Sequence, residues 1–329
     1  MSAITEKPTT ASVVEPRTQQ WLDQLAAASA GGPPLYELSP KAARQVLLDI
    51  QAGVVVDMPP ADVKDLTIPG GPTGEVTVRV VTPAEATGPL PVVFHSHGGG
   101  WILGNRITHE RLDREIANAA HAVVVFVDYT PAPEAHYPVQ NEQAYTALTW
   151  AMANAEQIGA DARRVALLGD SVGGNMTIAL TLMAKQRGGP DIAAQVLCYP
   201  VTNADLNTDT YRQYADGPWL SRAAMKWFWD AYPPEESGRS EITASPLQAS
   251  VEQLRGLPPA LIINGEHDVL RDEGEAYGRK LGEAGVSAAQ VRYGGTIHDF
   301  MLLNPITTTP APRAAIAQAA SFLHDALYA

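Results

Sequence analysis

Cysteine is nearly absent. The 329 residues include one, Cys198, so no disulfide can close within the chain. A cytoplasmic protein fits that count best, although a disulfide-free exported one fits it too. Basic residues are also scarce: 23 Lys and Arg face 36 Asp and Glu, for a formal net charge of −13, and no run of Lys and Arg occurs. Nucleic acid and anionic membrane surfaces both require basic patches, so neither is an expected partner. No apolar run is long enough to span a bilayer, and residues 1–20 lack the basic, apolar, small-residue succession of a signal peptide. Internal repeats are missing as well. What remains is 45% hydrophobic and 18% charged, the composition of a packed globular protein. The length suits one large α/β domain with insertions, or two smaller ones.

Hydrophobic periodicity places the elements. Residues 1–16 are polar, rich in Pro and Thr, and expected to be mobile. Trp21, Leu22, Leu25 and Ala26 predict an amphipathic helix over Pro16–Ala30. A second helix opens with Ser39 as N-cap and Pro40 behind it. Strands are predicted at Glu75–Val81, Leu90–Phe94, Ala122–Val127, Val165–Leu168, Val196–Tyr199, Ala260–Ile263 and Ala289–Tyr293. Helical stretches fall at Thr108–Ala120, Gln140–Ala155, Asn175–Lys185, Asp272–Ala284 and Arg313–Leu327. Strands alternating with helices predict an α/β protein with a mostly parallel central sheet covered on both faces. Residues 204–240 interrupt the rhythm without a strand and carry Trp219, Trp227, Phe228 and Trp229. They read equally as a lid above the sheet or as a core helix pair. The strand near 289–293 reads as a sheet edge, which invites pairing between subunits.

One stretch organises the rest. Val165-Ala166-Leu167-Leu168 is a buried strand, Gly169-Asp170-Ser171-Val172-Gly173 is a tight Gly-x-Ser-x-Gly turn, and a helix-compatible run follows. That strand–turn–helix context is what a nucleophile elbow requires. The serine stands at a helix N-terminus, where free N–H groups favour developing negative charge. An incidental serine in a glycine-rich turn is the plainer alternative. A phosphate-binding loop fails on pattern, since neither Gly-x-Gly-x-x-Gly nor Gly-Lys-Ser/Thr is near.

A serine hydroxyl needs an adjacent base, and the base needs an orienting carboxylate. Asp268 follows the strand Ala260–Ile263, and His298 follows the last predicted strand, so both lie beyond strand C-termini, where open parallel sheets place their chemistry. Asp268 also reads as a helix cap, for which Asp272 is the stronger candidate, and His298 as a surface-loop histidine. His121, His136 and His267 are worse placed. His95 and His97 raise a zinc reading, but three glycines and a tryptophan follow where further ligands are needed, so no metal is expected. Gly98, Gly99 and the N–H of Val172 are the candidate oxyanion donors. Cys198, within an apolar strand, reads as core.

Four separated motifs and a histidine then agree: His97-Gly98-Gly99-Gly100-Trp101, Asp128-Tyr129-Thr130-Pro131-Ala132-Pro133-Glu134, Gly169-Asp170-Ser171-Val172-Gly173-Gly174, Glu266-His267-Asp268-Val269-Leu270-Arg271-Asp272-Glu273-Gly274, and His298. From about residue 75 to its end the chain resembles the hormone-sensitive-lipase-like (bacterial family IV) α/β-hydrolases. The resemblance implies a serine carboxylesterase for short- to medium-chain acyl esters, with a Ser171–His298–Asp268 triad, a small-molecule ester substrate and no cofactor. It further implies an N-terminal helical cap (residues 1–50) on a catalytic domain (51–329) that carries a cap insertion at about 204–240. Trp101, Tyr129 and Tyr199 are candidate substrate walls, and each reads equally as core. Amidase or thioesterase work with the same triad, or a non-catalytic small-molecule receptor of the same fold, are the alternatives. Three departures stand out. Val172 replaces the usual Ala and narrows the acyl side. Thr130-Pro131 replaces Arg-Leu, which predicts a missing ion pair. Asp299 replaces the usual Gly after the histidine, which favours the imidazolium.

Overall fold

The computed structural model describes residues 13–233 and 235–329. The expected mobile leader therefore lies, up to residue 12, outside the described residues. In chain order the main elements are α1 (Pro16–Ala28), α2 (Pro40–Ala52), β1 (Ala61–Pro69), β2 (Glu75–Pro83), β3 (Leu90–Ser96), α3 (Glu110–Ala120), β4 (Val123–Asp128), α4 (Val139–Ala153), β5 (Ala160–Asp170), α5 (Val172–Arg187) and β6 (Gln195–Cys198). The helices α6 (Asp209–Gln213), α7 (Arg222–Ala231), α8 (Glu236–Arg239) and α9 (Val251–Leu254) follow. The chain then runs through β7 (Ala260–His267), α10 (Arg271–Glu283), β8 (Ala288–Ile297) and α11 (Pro310–Leu327).

The strands form one eight-stranded sheet in the order β1-β2-β4-β3-β5-β6-β7-β8. β2 runs antiparallel to both β1 and β4; β3 through β8 are joined by parallel pairings. Alternation explains why the central strands read as unbroken apolar runs. Val92, Phe94, Val125 and Leu167 face one cluster, with α4, α5 and residues of α7. Val93, Val124, Ala166 and Leu168 face the other, with α3 and α11.

β1 is an element that the hydrophobic pattern does not announce. It is an edge strand carrying Asp62, Lys64 and Asp65, and it is mostly open to solvent, so little apolar signal marks it. β8 is the opposite edge, as expected. Its end is partly covered, because Glu15 donates its N–H to the Gly295 carbonyl at 2.8 Å.

The register positions the site. His267 of β7 lies opposite Ile297 of β8, so the next residues, Asp268 and His298, emerge side by side. Ser96 of β3 lies opposite Gly169 of β5, which brings the loop after β3 against the end of the strand that leads to Ser171. The N-terminal helices pack over this end: Gln51 of α2 donates to the carbonyls of Thr108 and Leu302. The described part of residues 204–240 contains only α6, α7 and α8. Met225, Phe228 and Trp229 of α7 are buried, whereas Trp219 and Trp227 are only partly so.

Candidate active site

Ser171 sits between β5 and α5 with φ 55° and ψ −121°, outside the regions that L-residues normally occupy. Close packing holds it there. Its N–H donates to Cys198 O at 2.8 Å, and its carbonyl accepts from Val201 N at 3.1 Å. A side chain at Gly173 would collide with the Ser96 carbonyl, so only glycine lets the elbow approach β3 this closely.

His298 bridges the other two expected residues. Its Nδ1 is 2.7 Å from Asp268 Oδ2, and its Nε2 is 2.9 Å from Ser171 Oγ. With the Nδ1 proton on the Asp268 side, the Nε2 lone pair faces the hydroxyl. Asp268 is fixed in turn, since its Oδ1 accepts from Leu270 N at 2.9 Å. Asp272, the expected helix cap, does not cap α10. It lies in the first turn and accepts from Thr210 N at 2.9 Å, tying α6 to this edge. Burial pulls the His298 pKa down, but the Asp268 and Asp299 carboxylates outweigh it and push it up to about 9.

The loop after β3 lies beside the serine. Gly99 has φ +111°, and a side chain there would strike the Leu103 carbonyl. Gly98, expected as an oxyanion donor, has its N–H committed: it donates to Asp170 Oδ1 at 3.0 Å. A carboxylate that holds this proton removes it from a substrate's reach. Among the described residues no protein acceptor takes the N–H of Gly99, Gly100 or Val172. Tyr129 braces the loop by donating to His97 O at 3.0 Å. Glu134 has its ion pair after all. Arg44 of α2, rather than a neighbour in its own motif, meets it at 2.6 Å and also donates to the carbonyls of Ile102 and Ala132.

His95 and His97 belong to a buried polar cluster beneath that loop. His95 is 2.6 Å from Asp113 through Nδ1 and 3.2 Å from Asp170 through Nε2. Asp170 also meets His109 Nε2 at 3.3 Å. Two carboxylate acceptors require both ring protons, so His95 is an imidazolium; burial opposes this, but Asp113 and Asp170 raise its pKa to about 9. His109 and His95 in turn hold Asp170 well below the carboxylate range against its own desolvation. His97 is the reverse case. Its ring stacks on Tyr129 (4.1 Å) and Phe126 (5.0 Å), and burial pushes its pKa down to about 3.

The three candidate walls, Trp101, Tyr129 and Tyr199, are all buried. Trp101 stacks on Tyr232 at 3.8 Å and meets Trp229 at 5.0 Å, so it joins the loop after β3 to α7. Tyr199 lies under the catalytic edge, with its ring 4.9 Å from that of His298. Two surface recesses lie elsewhere. One of about 470 Å³ is at Pro89 and Arg163, and one of about 560 Å³ is between Ala204 and Lys226; neither touches Ser171.

Sequence patterning gave no sign of three supporting residues. Asn175 donates to the carbonyls of Val201 and Ala244, and Glu273 accepts from the N–H groups of Thr202 and Asn203. Together they fix the loop behind the elbow; burial raises the Glu273 pKa to about 8. The third, Trp219, donates to Asp299 Oδ2 at 2.9 Å. Each partnership spans tens of residues, which local pattern does not register.

A family model described as the alpha/beta hydrolase fold matches residues 93–302. The chain is 38% identical over 304 residues to a putative alpha/beta hydrolase of Acanthamoeba polyphaga mimivirus, covering 91% of this chain and 84% of that one. It is 36% identical over 276 residues to a carboxylesterase of Mycobacterium tuberculosis, covering 83% and 85%. Among solved structures it is similar to a thermostable esterase from Pseudomonas putida, with a TM-score of 0.93, 49% identity, and coverage of 96% and 98%.

Proposed function

This chain belongs to the α/β-hydrolases, in their hormone-sensitive-lipase-like branch, and acts on carboxylic esters; on that premise we propose that it does so as a serine esterase through Ser171, His298 and Asp268. The observation that carries the reading is His298 bridging Asp268 at 2.7 Å and Ser171 at 2.9 Å.

Ser171 Oγ attacks the ester carbonyl as its proton passes to His298 Nε2. Asp268 holds the imidazole tautomer and stabilises the imidazolium. The oxyanion is held by the N–H groups of Gly99, Gly100 and Val172, with Gly98 serving instead to pin the loop through Asp170. Such donors typically contribute about 3 kcal/mol each to transition-state stabilisation. His298 then protonates the leaving alcohol, and water repeats the steps on the acyl-enzyme, releasing the acid and restoring Ser171.

The cap in this reading consists of residues 1–50 and about 204–240. Ser171 is only 4% exposed beneath it, and short- to medium-chain acyl groups belong to the same proposal. Trp101 and Tyr199 act by position, the first joining cap to loop and the second supporting His298. A cytoplasmic location and pairing of two copies along β8 belong to the same proposal; no described helix is long and apolar enough to cross a membrane.

The test is Ser171→Ala with an activated short-chain ester. Turnover is expected to vanish while the thermal unfolding midpoint stays near that of the wild type. Retained turnover would reject the assignment.

A further inference from the structure

The mechanism above uses Asp268 and leaves a second carboxylate at the same imidazole unused. Asp299 Oδ1 lies 3.4 Å from His298 Nε2, the nitrogen that faces Ser171. Its other oxygen accepts from Trp219 Nε1 at 2.9 Å. Trp219 lies between α6 and α7, and its ring is 5.4 Å from that of Trp21 on α1. One half-buried carboxylate thus connects the base to both parts of the cap. Asp299 adopts φ 61°, in the left-handed region.

The two distances differ in kind. The indole contact is an ordinary hydrogen bond. The contact to Nε2 is too long for a well-formed charge-assisted bond, which runs to about 2.9 Å. Trp219 therefore holds the carboxylate back from the nitrogen. Left closer, it would compete with the Ser171 hydroxyl for Nε2 and hold a proton there. Removed, it would leave the imidazolium with Asp268 alone in direct contact.

We propose that Trp219 and Asp299 form a latch from the cap to the base, in which Trp219 sets the position of Asp299 and Asp299 sets the proton affinity of His298. The placing of the cap then governs the pH at which the esterase works. The proposal rests on His298 being the general base. Asp299 and Trp219 are positioning residues in it, since neither is asked to touch the ester.

The other groups facing this pair are few. Asp268 approaches from the end of β7, Asp170 acts at longer range from the end of β5, and the Tyr199 ring packs from the end of β6 with Arg111 beyond it. Burial raises the pKa of Asp299, while the His298 imidazolium and the Trp219 N–H oppose the rise. The direct contacts on Nε2 are Ser171 and Asp299.

The experiment is the pH profile of kcat/KM on an activated short-chain ester, whose acid limb reports the base in the free enzyme. Asp299→Asn keeps the shape, and asparagine tolerates the left-handed backbone. Its acid limb should move down by roughly one pH unit or more. Trp219→Phe keeps an aromatic ring against Trp21 but deletes the donor, and its limb should move up by a smaller amount. The double variant should follow Asp299→Asn, because Trp219 acts only through that carboxylate. A loosened cap would not give opposite shifts that collapse to one. A wild-type limb in either single variant, or a further shift from Trp219→Phe in the Asp299→Asn background, overturns the latch. If Trp219→Phe does not fold, the Asp299→Asn limb decides alone. Ser171→Ala is run alongside: turnover there would sink the triad reading itself, whereas an unmoved Asp299→Asn limb sinks only the latch.

Discussion

Two buried histidine–carboxylate systems flank the end of β5, and they differ in one contact. On one side His95 meets Asp113 and Asp170, so both of its nitrogens face carboxylates. On the other side His298 meets Asp268 through Nδ1 and the Ser171 hydroxyl through Nε2. Residue types, burial and upward pKa shift are the same, near 9 in both. The difference is that His95 has nowhere to send a proton and nothing to activate. A histidine beside an acid is thus not a base by virtue of its pKa. In the proposed mechanism it becomes one because its second nitrogen faces a hydroxyl, as His298 Nε2 faces Ser171 Oγ at 2.9 Å.

Exchanging the two histidines for alanine sharpens that contrast most. His298→Ala should lower kcat by about 10⁴-fold or more, as loss of a triad base typically does, with the thermal midpoint little changed. His95→Ala should do the opposite. It strips the buried Asp113 of its partner, leaves Asp170 with only His109 and the Gly98 N–H, and should cost about 3–5 kcal/mol of stability, read by urea unfolding, while the folded fraction keeps turning over. Equal losses of turnover in the two variants would break the comparison.

A smaller effect separates the histidines by pH. The pKa of His95 is raised in the folded state from the ordinary 6.5 to about 9. The stability it contributes is therefore complete below pH 6.5 and lost as the pH rises through about 9. His298 shares that window. His97 is lowered to about 3, so its contribution is present above pH 6.5 and lost as the pH falls toward 3. Unfolding free energy should thus decline on both sides of neutrality. Its alkaline decline should shrink with His95→Gln or His298→Gln and most with both, leaving the part contributed by the buried Glu273 carboxyl, which is raised to about 8; an alkaline arm undiminished by the double change would refute the assignment.

The smallest expected effect lies at Arg44 of α2. Arg44→Ala removes a partly exposed pair with Glu134 and the donors to Ile102 O and Ala132 O, and should cost about 1 kcal/mol. A loss comparable with that of His95→Ala would show that Arg44 is structural to the loop rather than a brace on its surface.

What could be read from the sequence divides along the same line between local and distant partners. The elbow was legible because strand, glycines, serine and helix are consecutive, and the elements around Asp268 and His298 because each ends a strand. The Gly98 N–H is taken by Asp170, 72 residues away, a partner that the glycine run around it does not announce. Glu134 is paired with Arg44, 90 residues earlier, a partnership that the motif around it does not announce. Trp101, which reads equally as a wall or as core, is packed against Tyr232 and Trp229, more than 120 residues further along the chain. β1 escaped notice because an edge strand with charged residues lacks the apolar run that marks its neighbours. Periodicity reports which face is buried, and says little about what buries it.

The central claim is that Ser171 is nucleophilic only because His298 faces it. The most direct measurement is mass-spectrometric labelling with a fluorophosphonate ester. The account predicts one adduct per chain, on Ser171, formed rapidly in the wild type and almost not at all in folded His298→Ala. An adduct on another residue, or equal labelling rates in the two proteins, would contradict it.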